Sequence, residues 1–308
     1  MAFQRAGLIC SRRGRTRDAE ELFQKALGTF RESGSRRQEG IALGYLASIF
    51  RETGRFDQAE KSYEQALAVH REVGNRKNEG MVLGNMANMF LETGRFAPAG
   101  PLYAQSLAIL REAGDRWTAG ATLSNIATLC RSNGSDEQAE RTYEEALAAH
   151  REVGDRRLEG HTLGNLAMLY QATDRFGPAE QIALQALAIH REVGNRRLEG
   201  IALGSLSMLY VRTGRVEAGR ALFREALEIH EAVGNLTFQG SHRCEFAYCL
   251  LKQGLVGEAA GLWREGMVLL ERQNDGKAAE SQRATMREEC AKAGVAEFCC
   301  SRRRGPPR

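Results

Sequence analysis

The chain has 308 residues, 43% hydrophobic and 27% charged, with a formal net charge of +4, an ordinary balance for a soluble folded protein. No apolar run approaches the roughly 18 residues a membrane-spanning helix needs, and MAFQRAGLIC is too short an apolar stretch for a secretory signal, so a cytoplasmic protein without a membrane partner is expected. Arg5, Arg12, Arg13, Arg15 and Arg17 crowd one end and Arg302, Arg303, Arg304 and Arg308 the other, leaving residues 18–300 at net −5; a nucleic-acid groove needs a continuous basic stripe instead.

The first element is a helix that is already under way at Met1, with no capping segment before it. That predicts either a short first helix or a chain continuing upstream, and leaves an open first unit through which the protein could self-associate. From there one forty-residue unit recurs without insertion: REVGNRKNEG at 71–80 returns as REAGDRWTAG at 111–120, REVGDRRLEG at 151–160 and REVGNRRLEG at 191–200. Seven units fill 1–280 (1–40, 41–80, 81–120, 121–160, 161–200, 201–240 and 241–280). Units of this kind bury their apolar faces only against their neighbours, so the array overrides the two-domain prior that length alone suggests.

Residues 75–114 show how one unit is built. Asn75 is a helix N-cap, with Asp115, Asp155, Asn195 and Asn235 at equivalent places. A first helix runs to about Glu92 with Leu83, Met86, Ala87 and Phe90 on one face. Gly94 breaks it, and Asp174 takes the equivalent place in one unit. A second helix runs from about Ala97 to Ala113 and ends at Gly114, a glycine repeated at 34, 74, 154, 194 and 234. Pro98, Pro101 and Pro178 fall in first turns, where a missing N–H costs least. After the seventh unit, residues 281–294 form a capping helix in which Arg283 and Arg287 replace apolar positions while Met286 and Cys290 keep two contacts. Residues 295–308 form a flexible basic tail.

These residues resemble the tetratricopeptide repeat family. Its second-helix pattern appears as Ala19-Phe23-Ala26, Ala59-Tyr63-Ala66 and Ala139-Tyr143-Ala146, and its first-helix pattern as Leu46-Ala47-Phe50, Met86-Ala87-Phe90 and Leu166-Ala167-Tyr170. The resemblance covers residues 1–280. It implies an all-α, right-handed superhelical solenoid whose first helices line a concave groove that receives a partner. Leu43, Leu83, Leu123, Leu163 and Leu203 stand where the family carries Trp, the closing Pro is absent, Ala183 replaces an aromatic and Gly219 an Ala. The forty-residue period is similar to the subtype found in LGN/Pins adaptors and bacterial regulator arrays.

The side of the first helix that faces away from the core is the informative one. Across five units it carries Ile41, Gly44, Tyr45, Ser48; Met81, Gly84, Asn85, Asn88; Ala121, Ser124, Asn125, Thr128; His161, Gly164, Asn165, Met168; and Ile201, Gly204, Ser205, Met208. None of these 20 residues is charged, where the overall composition would supply about five and a surface helix should be polar. An Asn amide offers a donor and an acceptor together, matching one peptide unit of a bound backbone. Asn85, Asn125 and Asn165 stand one per unit, with Tyr45 and Ser205 in the flanking places. Helices ~8–10 Å apart would space such rungs by roughly three residues of extended peptide. Ordering of neighbouring helices by the same amides is the other reading. Glycines 44, 84, 164 and 204 likewise fit either close approach by a ligand or helix packing, and the series Gly40 to Gly240 fits packing.

The expected peptide-binding residues are therefore Tyr45, Ser48, Met81, Asn85, Asn88, Asn125, Thr128, Asn165, Met168, Ser205 and Met208. The partner is a protein or peptide segment, neutral and amphipathic, extended or helical. Glu245 would mark the end of the groove. No cofactor, metal or catalytic constellation is expected: the seven Cys lack ligand spacing, and His70, His150, His190 and His230 recur too far apart to share an ion, at a place Leu110 and Leu270 also fill. A half-buried structural role is expected for those histidines, and ion pairs of little worth for Arg156, Arg157, Arg196 and Arg197. The function expected is a non-catalytic interaction scaffold, with a sensor array inside a larger regulator as the alternative.

Overall fold

The computed structural model describes residues 2–12, 15–273 and 276–298, and among them every regular element is an α-helix. The helices come in pairs: α1 (Ala2–Arg12) with α2 (Thr16–Glu32), α3 (Arg36–Glu52) with α4 (Phe56–Glu72), α5 (Arg76–Glu92) with α6 (Phe96–Glu112), and α7 (Arg116–Ser132) with α8 (Asp136–Glu152). Next come α9 (Arg156–Ala172) with α10 (Phe176–Glu192), α11 (Arg196–Arg212) with α12 (Val216–Ala232), α13 (Leu236–Lys252) with α14 (Val256–Arg272), and the closing helix α15 (Gly276–Ala293). The chain forms two compact units, Met1–Asp155 and Arg156–Arg308.

Local backbone chemistry sets the period. From α2 to α14 each helix has 17 residues and is followed by three linking residues. Among the described residues the middle linker residue is a glycine in the left-handed region, such as Gly74 at φ 63°, except for Asp174 at φ 56°. Gly74 N–H donates to Arg71 O at 3.2 Å and Asn75 N–H to His70 O at 2.8 Å, closing the helix with a paired C-terminal cap. Asn75 then starts the next helix. Twenty residues per helix give forty per pair, so the frame drawn at 41, 81 and onward cuts through first helices, and the helix-pair frame starts at Arg36.

Side-chain N-capping is rarer than the sequence suggests. Asp115 accepts from Thr118 N–H and Asn195 from Leu198 N–H, both at 3.2 Å. Asn75 and Asn235 make no side-chain cap; their amides lie 3.4 Å from Nδ1 of His70 and His230. The last of the three linking residues is close enough to the preceding imidazole for that contact to compete.

Within each pair the helices cross at a glycine. A Cβ added at Gly40, Gly120, Gly160 or Gly200 would lie 2.7–3.0 Å from an imidazole atom of His70, His150, His190 or His230, or from a neighbouring Val69 or Ile189 methyl. At Gly80 the facing side chain is Leu110. The histidines expected to be half-buried are in fact buried, because the missing glycine side chain leaves room for the ring to close over the backbone. Around this crossing Ala59, Tyr63 and Ala66, and likewise Ala139, Tyr143 and Ala146, lose all contact with solvent.

Consecutive pairs are also joined by buried carboxylates. Glu39 accepts from Arg31 Nε at 3.0 Å and Arg36 Nη1 at 2.6 Å, and its side chain is 7% exposed. Glu79 and Glu199 are clasped alike by Arg71 with Arg76 and by Arg191 with Arg196. Arg156 binds both Glu159 and Glu192 at 2.6 Å. The exposed arms are worth little. The buried carboxylates differ, since leaving one without its arginines strands a charge in a low-dielectric place.

At the C-terminal end α15 begins five residues earlier than residue 281. Met286 and Cys290 are buried, and Arg283 pairs with Glu271 at 2.5 Å. Residues 295–298, counted with the tail by sequence, return to the array: Val295 N–H donates to Cys290 O at 3.1 Å, and Phe298 is buried against Trp263. An apolar residue one turn beyond the helix has a partner there, which charge composition does not reveal. Residues 299–308, with Cys299, Cys300 and the closing arginines, lie outside the described residues, as does Met1.

Two predictions test this packing. A Cβ on Gly266 would meet Gly240 O and Cys244 Sγ at 2.7 Å, whereas one on Gly28 meets nothing within 4 Å. Gly266→Ala should destabilise by about 1–3 kcal/mol and Gly28→Ala should stabilise by up to about 1 kcal/mol, read as opposite shifts of the urea midpoint. Burial, with His161 adding to it at His190 and Arg197 at His230, pushes both buried imidazoles down to about 4. The unfolded chain takes up these protons near 6.5 and the folded one only near 4. Stability is therefore complete above pH 6.5 and falls as pH drops toward 4, by at most about 3 kcal/mol per ring. His190→Leu should flatten that fall in thermal melts between pH 7 and 5; a decline as steep as in the wild type would contradict it.

Candidate functional site: the inner face of the first helices

Within the first unit, α3 approaches α5 and α5 approaches α7, while their second helices come no nearer one another than an isolated contact. In the second unit α9 approaches α11, and α11 approaches α13. The first helices thus take the shorter side of each unit's curve. The residues expected to bind lie on that side, and they divide into three groups.

One group serves the tyrosines of the core. Ser48 Oγ lies 3.3 Å from the Tyr63 hydroxyl and Thr128 Oγ1 lies 3.0 Å from that of Tyr143. Asn88 Oδ1 accepts from the Tyr103 hydroxyl at 2.5 Å. These hydroxyls are buried, and burial raises the Tyr103 and Tyr143 pKa values above the ordinary range, so each needs a polar partner. Where the second helix carries Ala183 or Phe223 in place of Tyr, the partnering residue is Met168 or Met208. That covariation was present in the sequence, fifteen residues apart.

A second group is spent on packing. Asn125 Nδ2 donates to Asn88 Oδ1 at 2.9 Å, tying α7 to α5. Tyr45 stacks on Phe23 with ring centroids 5.0 Å apart. Gly84, Ser124 and Gly204 are buried: Ser106 Oγ faces Gly84, His150 Nε2 lies 3.2 Å from Ser124 Oγ, and His242 faces Gly204. Helix packing therefore accounts for these two glycines, whereas Gly164 has nothing within 4 Å.

The third group is free. Asn85 and Asn165 are half-buried and make no hydrogen bond among the described residues; Met81 and Ser205 are half-buried and Met168 is 42% exposed. Trp117, one turn before Ala121 on the same helix side, was not singled out by sequence; it is 50% exposed and its Nε1 donates to Asp155 Oδ2 at 2.5 Å. Extending the outward series by four residues would have found it. Glu245 takes the ladder place in α13. Burial pushes its carboxyl up to about 7, with Gln282 as hydrogen-bond partner, so the strip's one acid is only partly ionised at neutral pH. Among the described residues no group of three metal-ligating side chains occurs, and no helix is long and apolar enough to cross a membrane.

Two tetratricopeptide repeat family models match this pattern of helix pairs, one over residues 38–112 and 118–192 and the other over 201–233. The chain belongs to the tetratricopeptide repeat family. Among solved structures this tetratricopeptide repeat array is similar to the apo form of RapI, at 12% identity and a TM-score of 0.73, covering 89% of this chain and 98% of that one. It is also similar to a Rap protein complexed with competence and sporulation factor (14% identity, TM-score 0.62, 95% and 98% covered). A third likeness is to a signal-transduction ATPase with a tetratricopeptide repeat sensor from Pyrococcus horikoshii, at 16% identity and a TM-score of 0.67, covering 91% of this chain and 44% of that one. No curated protein sequence matches. Likeness at these identities describes the fold.

The tyrosine pairing carries its own test. Asn88→Ala removes the acceptor of a buried hydroxyl and should cost about 1–3 kcal/mol. Adding Tyr103→Phe should recover part of that loss in a urea-monitored double-mutant cycle. Strict additivity of the two substitutions would show that the hydrogen bond has no role.

Proposed function

We propose that this array is a non-catalytic scaffold whose inner face, within each unit, binds a neutral, amphipathic polypeptide segment. The observation that carries the reading is the pair of unspent amides, Asn85 and Asn165, set in an uncharged strip with Met81 and Met168 beside them. In the first unit Trp117 adds a large exposed anchor of the kind that dominates binding energy. The Rap protein solved with competence and sporulation factor supports the reading, since nearly all of this chain aligns with an array that holds a factor. The cytoplasm is the proposed compartment, because Cys10, Cys130, Cys244, Cys249 and Cys290 are buried free thiols.

Selection of a displayed random-peptide library on the full chain tests this proposal. Enriched peptides should carry little net charge, quench or shift Trp117 fluorescence, and lose at least about tenfold in affinity for Asn85→Ala or Trp117→Ala. Glu144→Ala, on the outer face, should bind as wild type. Peptides that are uniformly charged, or binding indifferent to both inner-face substitutions, would refute the reading.

A second reading, a sensor array inside a larger regulator, is supported by the likeness to the ATPase, whose chain is covered only to 44%. Immunoblotting of source cells distinguishes the two, through a band near 34.0 kDa or a much larger one. Self-association through α1, where Phe3 and Ile9 are 44% and 52% exposed, would raise the mass seen by light scattering with concentration.

A further inference from the structure

One junction between consecutive helix pairs keeps both arginines of the clasp and lacks its carboxylate. In the intact clasp an Arg near the end of a second helix and an Arg opening the next first helix hold a Glu three residues further on. Arg31 and Arg36 hold Glu39, Arg71 and Arg76 hold Glu79, and Arg191 and Arg196 hold Glu199. Those glutamate side chains are 4–7% exposed. Ahead of α13 all three positions change together, to Glu231, Leu236 and Gln239. Ahead of α7 both arginines remain, as Arg111 and Arg116, and only the carboxylate is lost, replaced by Ala119.

A recess of about 290 Å3 opens at that place, with Arg111, Arg116, Glu145 and Glu152 around it and Ala119 and Leu123 among its apolar lining. Arg111 Nη2 pairs with Glu145 and Arg116 Nη1 with Glu152, all four side chains being more than half exposed. Such pairs exchange readily with solvent and are held weakly. In the intact clasps the first arginine uses Nε to hold the buried carboxylate. Arg111 Nε makes no hydrogen bond among the described residues, while Arg116 Nη1, the atom that holds the carboxylate in the intact clasps, turns to the exposed Glu152 instead.

We propose that this junction is a binding site for an aliphatic carboxylate. The carboxylate sits against Arg111 Nε and displaces Glu152 from the Arg116 guanidinium, and its short carbon stem lies in the recess that Ala119 and Leu123 help to line. Arginine suits this role because its planar donors match a carboxylate in two directions at once. The carboxylate comes from a free small acid or from a glutamate side chain of a polypeptide. The site shares no residue with the inner face, so it stands or falls separately from the scaffold proposal.

The test uses the full chain with 13C-methyl-labelled alanine, titrated with propionate, with the neutral isostere propionamide, and with the peptide acetyl-Ala-Glu-Ala-amide. Propionate or the peptide should shift the Ala119 and Ala148 methyl signals saturably, and propionamide should not. Arg111→Gln should weaken binding at least about fivefold. Ala119→Glu, which restores the internal carboxylate, should abolish binding and raise the thermal midpoint. Ala119→Leu, which fills the recess without charge, abolishes binding too and serves if the Glu variant folds poorly. A peptide that binds more than about tenfold tighter than propionate assigns the polypeptide source, and parity assigns the free acid. No saturable shift from either probe, or shifts that survive Ala119→Leu, would overturn the proposal.

Discussion

The close crossing of the two helices in each pair is the contact on which the rest of the array depends. A glycine near the start of the first helix meets a buried His or Leu near the end of the second, so the backbones approach more closely than a Cβ would allow. Each such glycine costs about 1 kcal/mol of helix propensity relative to alanine, offset by the packing of the ring against bare backbone. The crossing point fixes which residues of both helices can touch. Ala59, Tyr63 and Ala66 are then sealed around it, and a left-handed linker residue, glycine in every described case but Asp174, returns the chain for the next crossing at a constant interval.

Polar groups follow the same nearest-neighbour logic. A buried tyrosine hydroxyl is met by a short polar side chain from the facing helix, and a buried glutamate by one arginine of the preceding helix and one of its own. Members of these sets change together. Met208 accompanies Phe223, and Leu236 accompanies Gln239. Coordinated replacement is what low local dielectric demands, since an unpartnered buried polar group costs more than a missing hydrogen bond. Ala119 stands out against this background because its two arginine partners did not change with it.

The inner face shows how far residue type alone leads. Absence of charge from twenty outward positions was visible in the sequence and reflected two different causes. Ser48, Asn88 and Thr128 are neutral because each serves a core tyrosine, and Gly84, Ser124 and Gly204 because a neighbouring helix covers them. Asn85 and Asn165 have no such internal use. Equivalent asparagines in three consecutive units therefore differ in availability: Asn125 is committed to Asn88, and its neighbours in the ladder are not. The exposed Trp117 lies one helical turn before Ala121, outside those twenty positions.

The sequence by itself determined the helix pairs, their forty-residue period and their glycine ends, because capping, turn conformation and apolar spacing act over a few residues and recur in register. It also determined that each pair must be buried by its neighbours. Only the tertiary structure decided which polar side chains are spent and which are free, that the histidines are sealed over glycines, and that residues 295–298 return to the core. Those outcomes depend on contacts fifteen to forty residues apart, between groups whose chemistry allows several partners. Distance and burial choose among them, and neither can be read from one helix at a time.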